Sequence, residues 1–281
     1  MKLENAYIRV EISNQGAEIL SLFDKQISKE WMWDANPNFW SQRSPILFPV
    51  VGSTFDQKIR LGKQEYELGN HGFARYANFE TKRHTENLVE LELHQNQDTL
   101  KNYPFNFRLN VLYCLHTDHL EVSYRVFNDS DVDMPFNFGL HPAFRTQYNG
   151  EDGTQEIHFP IAENQLPDLI ESEDHKRLSF NDAFFAKVPT LMLEGIKSPY
   201  VELIEEDGSL RVDVMGYRYL AFWKKPKANF ICIEPWHSHD DFEAILQDFS
   251  QREGTLILKP NRSYTTYLKL WPKARKGARY V

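Results

Sequence analysis

An antiparallel all-β sandwich is the fold class predicted by this 281-residue sequence. Three observations carry that reading. Short segments with period-2 alternation of apolar and polar residues recur along the chain, turn residues join them into successive hairpins, and segments of helical period are scarce. A barrel closed from the same strands stays open at this point.

Taken in order, residues 7–12 alternate cleanly and pair with the following A-E-I-L-S-L-F run through a turn at Asn14 to Gly16. A tryptophan-rich turn region (Trp31, Trp33, Trp40) precedes R-S-P-I-L-F-P-V-V-G at 43–52. Its two prolines rule out a central helix and predict an extended, buried piece ending in a glycine turn. Residues 56–68 alternate weakly about Gly62, and the G-N-H-G-F-A-R segment then sets His71 in a loop, where chemistry concentrates. Leu88–His94 and Phe107–Leu115 read as strong strands, the second opening a hairpin to Phe127 with T-D-H at its turn.

Residues 136–144, F-N-F-G-L-H-P-A-F, read as a broken strand carrying His141. Residues 145–195 are less regular and hold the expected short helical pieces. Three further hairpins are predicted, over 200–214, 219–236 and 255–270, with a short helix over 240–249. Apolar segments are spread evenly and no Ser/Gly- or Pro-rich linker interrupts them, so a single domain over 1–281 is expected.

A net charge of -8 and a pI near 5.7 give no clustered basic face for nucleic acid, and the basic run at 273–279 reads as a solvated tail. Cys114 and Cys232 lie inside apolar strand-like runs, which predicts a reduced, cytoplasmic protein. The N-terminus has no apolar core of a signal peptide, and no window approaches the roughly 18 apolar residues of a membrane helix. No membrane partner is expected, and a homodimer stays open.

The chemistry centres on N-F-I-C-I-E-P-W-H, residues 229–237. Ile231 and Ile233 alternate with Cys232 and Glu234, and Pro235 cannot donate to a ladder, so pairing should end just past Glu234. A carboxylate among Phe230, Ile233 and Trp236 loses solvent, which raises its pKa toward the range of a general base. His71 and His141 also stand beside Gly or Pro and aromatic residues, and Arg43 and Arg75 are candidate donors to hydroxyls or an anion. A metal reading would draw on His71, His141, His237 and His239 with Glu234. A Gly-rich phosphate loop, a G-x-S-x-G elbow and a paired-Cys motif are absent from the sequence.

These segments, from G-A-E-I-L-S-L through R-S-P-I-L-F-P, N-H-G-F-A-R and F-G-L-H-P-A-F to F-I-C-I-E-P-W, resemble the aldose 1-epimerase (mutarotase) family, most closely its LacX-like branch. The resemblance implies a β-sandwich of the galactose-mutarotase type with a cleft for a monosaccharide. It also implies that Glu234 is the base on the anomeric hydroxyl, that a protonated His141 is the acid on the ring oxygen, and that His71 and Arg43 contact the sugar. The family's sugar-binding aspartate has no clear counterpart; Asp213 is assigned from its position alone.

Phe73, Phe138 or Trp223 would floor the sugar. Ring opening by this pair needs no cofactor and no metal. An unphosphorylated aldohexose is the expected substrate, with Lys224, Lys225 and Lys227 read as a solvated turn. A hexose 6-phosphate and a non-catalytic carbohydrate-binding role are the alternatives.

Overall fold

The computed structural model describes residues 1–147, 155–164, 166 and 174–275. Part of the irregular 145–195 segment and the end of the basic tail lie outside the described residues. Two large antiparallel sheets form a sandwich, as the alternation predicts. Among the described residues one sheet has nine strands, in the order Arg177–Phe180, Gln155–His158, Tyr200–Ile204, Gly208–Asp213, Ser263–Ala274, Leu120–Asn128, Phe107–Leu115, Leu88–His94, Glu80–His84. The other runs Thr190–Glu194, Tyr219–Trp223, Phe230–Trp236, Gly139–Leu140, Ile46–Leu47, with Ala143–Arg145 also paired to Phe230–Trp236. A smaller sheet is built on the predicted hairpin Ile8–Ile12 and Ile19–Asp24.

The core lies where the sheets face each other. Leu109, Val111, Val122 and Leu268 from the nine-stranded sheet share one buried cluster with Leu191, Phe222, Ile231 and Ile233 from the other. These are the alternate residues of each strand, and burying them supplies the main favourable term in folding. The strand Phe230–Trp236 is buried on both faces. Its even-numbered residues turn away from the core: Phe230 and Cys232 join Trp33 and Ala143 in one small cluster, and Trp236 joins Leu47 and Ala221 in another. Glu234 therefore stands between two apolar patches on the sheet's outer face.

Four sequence expectations need correction. The hairpin over 255–270 does not form: Leu256–Leu258 pairs with Met134–Phe136, while Ser263–Ala274 enters the nine-stranded sheet between Gly208–Asp213 and Leu120–Asn128. No helix covers 240–249; Phe242 and Leu246 are exposed, so no apolar stripe is buried there to hold one, and only a short 3-10 turn follows at Phe249–Gln251. A helix the sequence reading missed lies at Gln97–Asn102, closed by an Asn96 and Thr99 capping box. A second short α-helix, Asp182–Lys187, falls within the irregular stretch where short helices were expected.

The last correction concerns Pro235. Pairing does not stop at Glu234, because Pro235 lies opposite Leu220 and Trp236 opposite both Tyr219 and Gly139. Toward the broken strand, Ile233 N–H donates to the Pro142 carbonyl and His237 N–H to that of Phe138. That register puts the missing Pro235 N–H opposite the Leu140 carbonyl, and the Trp236 indole Nε1–H donates to this oxygen instead, at 3.2 Å. A side chain has replaced one ladder bond, which leaves a proline inside a central strand without an orphaned carbonyl.

Candidate functional site

Glu234 and His141 meet because of this register. Gly139 lies opposite Trp236 and Ala143 opposite Cys232, so His141, in the break between the two short strands, falls opposite Glu234. On its other side Glu234 faces Ala221, whose small side chain leaves room above the sheet. The His141 backbone N–H is held by the Pro45 carbonyl at 3.1 Å. His141 Nε2 is 3.0 Å from Glu234 Oε2. The contact is at hydrogen-bond distance but out of alignment, and both Glu234 oxygens and His141 Nδ1 lack a hydrogen-bond partner among the described residues.

The cleft above the pair has a volume of about 320 Å³, near the lower end of small-molecule sites, and suits a monosaccharide better than a polymer. His71, Arg75, His141, Trp223 and Glu234, all singled out from the sequence, line it together. Trp40, Asn70, Lys225, Trp236 and Asp240 also line it.

His71 reaches the cleft from a tight loop. Its N–H donates to the Gly52 carbonyl, and its Nδ1 accepts from the Gly52 N–H at 3.0 Å, which leaves the proton of a neutral ring on Nε2. Gly72 follows with φ +70, and a Cβ there would come within 2.3 Å of the Phe48 carbonyl oxygen, so glycine is required. Trp40 stacks on His141 at a centroid distance of 4.7 Å and meets Trp223 edge-on at 5.5 Å. Its loop is fixed by the Trp33 indole, which donates to the Trp40 carbonyl at 2.8 Å.

Burial dominates the electrostatics. It pushes the Glu234 carboxyl well above the usual carboxylate range, with Asp240 adding to the rise and Arg75 opposing it. Burial, with His71 and Arg75 nearby, holds His141 well below the ordinary imidazole value. Burial and Arg75 likewise bring His71 down to about 3. Burial thus favours the neutral form of each partner when no sugar is bound. Burial also lowers the Arg75 guanidinium, whose Nε has no hydrogen-bond partner among the described residues.

Two predicted site residues lie elsewhere. The Arg43 guanidinium donates to the carbonyls of Leu20 and Asp34, at 2.6 and 3.0 Å, and ties the segment before Ile46 to its neighbours. Asp213 is on the nine-stranded sheet, paired with Arg211 at 2.8 Å beside a different hollow. The aspartate at the cleft is Asp240, whose Oδ1 accepts from the Ser53 N–H at 2.7 Å. It lies six residues beyond Glu234 in H-S-H-D-D, where the sequence instead suggests the start of a short helix over 240–249.

Phe73 and Phe138 belong to the core, not to the sugar floor. Lys224 is buried against Asp182 at 2.5 Å rather than solvated, whereas Lys225 lines the cleft. The four-histidine metal set does not assemble: the His237 Nε2 pairs with the Tyr264 hydroxyl, His239 Nδ1 with the Asp240 carbonyl oxygen, and neither lines the cleft.

With this geometry in place, comparison with known proteins is decisive at the level of family. A sequence model of the family described as aldose 1-epimerase matches residues 1–184. This chain belongs to the aldose 1-epimerase family. The plasmid-encoded protein LacX of Lactococcus lactis subsp. lactis is 30% identical over 261 residues, covering 84% of this chain and 87% of LacX.

Among solved structures, a galactose mutarotase related enzyme from Lactobacillus acidophilus is similar at a TM-score of 0.85 and 29% identity, covering 98% of this chain and 99% of that one. A galactose mutarotase-like protein from Lactobacillus casei ATCC 334 is similar at 0.87 and 27%, covering 97% and 99%. Membership of the aldose 1-epimerase family makes the chain an isomerase of the mutarotase type acting on a carbohydrate, and its β-sandwich is the galactose mutarotase-like one.

Proposed function

We propose that the protein interconverts the α and β anomers of an unphosphorylated aldohexose, with Glu234 and His141 as its acid–base pair. The observation that carries this reading is the 3.0 Å approach of His141 Nε2 to Glu234 Oε2 on the floor of a monosaccharide-sized cleft. A neutral carboxyl with a neutral imidazole holds the same number of protons as a carboxylate with an imidazolium. Burial favours the first state; a bound sugar favours the second, because its O1–H donates to the carboxylate and its ring oxygen accepts from the imidazolium.

In the reactive state Glu234 takes the proton from O1 while His141 delivers one to O5. The C1–O5 bond opens to an aldehyde, C1 turns about C1–C2, and the ring recloses as both protons return. Each transfer contributes about 100- to 10,000-fold. The scheme uses no cofactor and no metal. His71, through its Nε2–H, and Asp240 and Arg75 hold the sugar hydroxyls, and Trp40 and Trp223 flank the ring.

A hexose 6-phosphate is the second reading, because Lys225 and Arg75 both line the cleft and could pair with a phosphate. The neutral sugar is preferred because Asp240 shares that wall and repels an anion. Polarimetry on freshly dissolved α-glucose, α-galactose and their 6-phosphates tests the choice. Faster decay of rotation with the neutral sugars supports the first reading. A clear preference for a 6-phosphate, lost on Lys225→Ala or Arg75→Ala and weakened by salt, replaces it with the second.

A further inference from the structure

We propose that His141, Cys232 and Glu234 form a capture site for a thiophilic divalent cation such as Zn²⁺, and that filling it switches the acid–base pair off. Cys232 and Glu234 are two residues apart on one strand face, and His141 stands opposite Glu234 across the register. One imidazole nitrogen, the thiol sulfur and a carboxylate oxygen all lie within 4.8 Å of one another. Tetrahedral zinc holds such donors roughly 3.3 to 3.6 Å apart, given bonds of about 2.0 to 2.3 Å, so small side-chain rotations close the set.

Two features make this a built site. All three residues are buried, and the Glu234 oxygens and His141 Nδ1 have no competing hydrogen-bond partner among the described residues. A mixed sulfur, nitrogen and oxygen set favours Zn²⁺ or Cd²⁺ over Mg²⁺ or Ca²⁺, which take oxygen ligands. The cleft supplies the open fourth position.

Cys232 has no part in the proton transfers proposed above, and a thiol ligates a metal only as the thiolate. Binding releases the thiol proton and occupies Glu234 and His141 together, leaving neither free to exchange a proton with a sugar. The switch rests on the acid–base reading; the site itself does not.

The test uses the full chain, stripped by chelation. Titration with Co²⁺ is expected to give a thiolate-to-metal charge-transfer band, displaced by Zn²⁺. Zn²⁺ is expected to stop anomerisation reversibly, with activity restored by chelator. Cys232→Ala and Cys232→Ser should retain wild-type kcat/KM in chelator, lose the cobalt band, and lose Zn²⁺ affinity by more than the roughly 10- to 100-fold that removal of an outer-shell partner costs. Circular dichroism confirms that at least one variant is folded. No cobalt band, or equal Zn²⁺ inhibition in a folded Cys232 variant, overturns the site. A band with Zn²⁺-loaded protein that stays active, or becomes more active, overturns the switch. A band in a protein that anomerises no aldose removes only the acid–base reading.

Discussion

His141 stands across the sheet from Glu234, its Nε2 3.0 Å from the Glu234 Oε2, at the one place where the strand opposite Phe230–Trp236 is interrupted. Residues 141 and 234 are directly opposed in this register, between the hydrogen-bonding positions 142/233 and 140/235, so both side chains project to the same face of the sheet. The His141 N–H points away from Phe230–Trp236 to the Pro45 carbonyl, continuing the pairing of Gly139–Leu140 with Ile46–Leu47.

The two arginines separate fold from binding. Arg43→Ala removes two hydrogen bonds to the carbonyls of Leu20 and Asp34, so a loss of about 1 to 3 kcal/mol in stability is expected with KM little changed. Arg75→Ala is expected to raise KM with a smaller effect on stability, because its guanidinium faces the cleft. Denaturant midpoints and steady-state kinetics on both variants check this, and the reverse pattern would return Arg43 to the sugar.

Acid stability should track His71. Its folded pKa is about 3, against roughly 6.5 unfolded, so between these values the unfolded chain binds a proton that the native state does not. Stability is therefore full above about 6.5 and falls as pH drops through the window, by at most about 1.4 kcal/mol per pH unit from this residue. His141 has the same sign, and Glu234, with a raised pKa, has the opposite one. His71→Asn keeps an acceptor near the Gly52 N–H but does not titrate. The gap between urea midpoints at pH 7 and 4.5 should therefore narrow in the variant, and an undiminished drop would contradict the assignment.

Trp236→Phe should leave the Leu140 carbonyl without a donor, since Pro235 cannot supply one. A loss of about 1 to 3 kcal/mol is expected, read from thermal or urea unfolding. Unchanged stability would mean that solvent reaches that carbonyl.

Much of the sandwich was legible because burial on one face writes itself as alternation: Leu88–His94 and Phe107–Leu115 match the strands read from sequence residue for residue. Pairing between distant strands was not, because nothing local says that Leu256–Leu258 joins Met134–Phe136 across the chain. His71, Arg75, His141, Trp223 and Glu234 share a cleft as expected from their Gly, Pro and aromatic neighbours. Arg43 and Asp213 do not, since a motif reports where the backbone passes but not which way a side chain points. Trp40 and Asp240 come from irregular loops without periodicity, so their place in the cleft was visible only once the chain was folded.

The central claim is that Glu234 and His141 act as one acid–base unit, and exchange-spectroscopy NMR of the anomeric protons tests it most directly. Glu234→Gln and His141→Asn, each folded by circular dichroism, should lose about 100- to 10,000-fold in the α-to-β exchange rate at saturating sugar. The double variant should be little worse than either alone, because removing one member disables the pair. Near-wild-type exchange in either single variant, or losses that multiply in the double, would contradict the account.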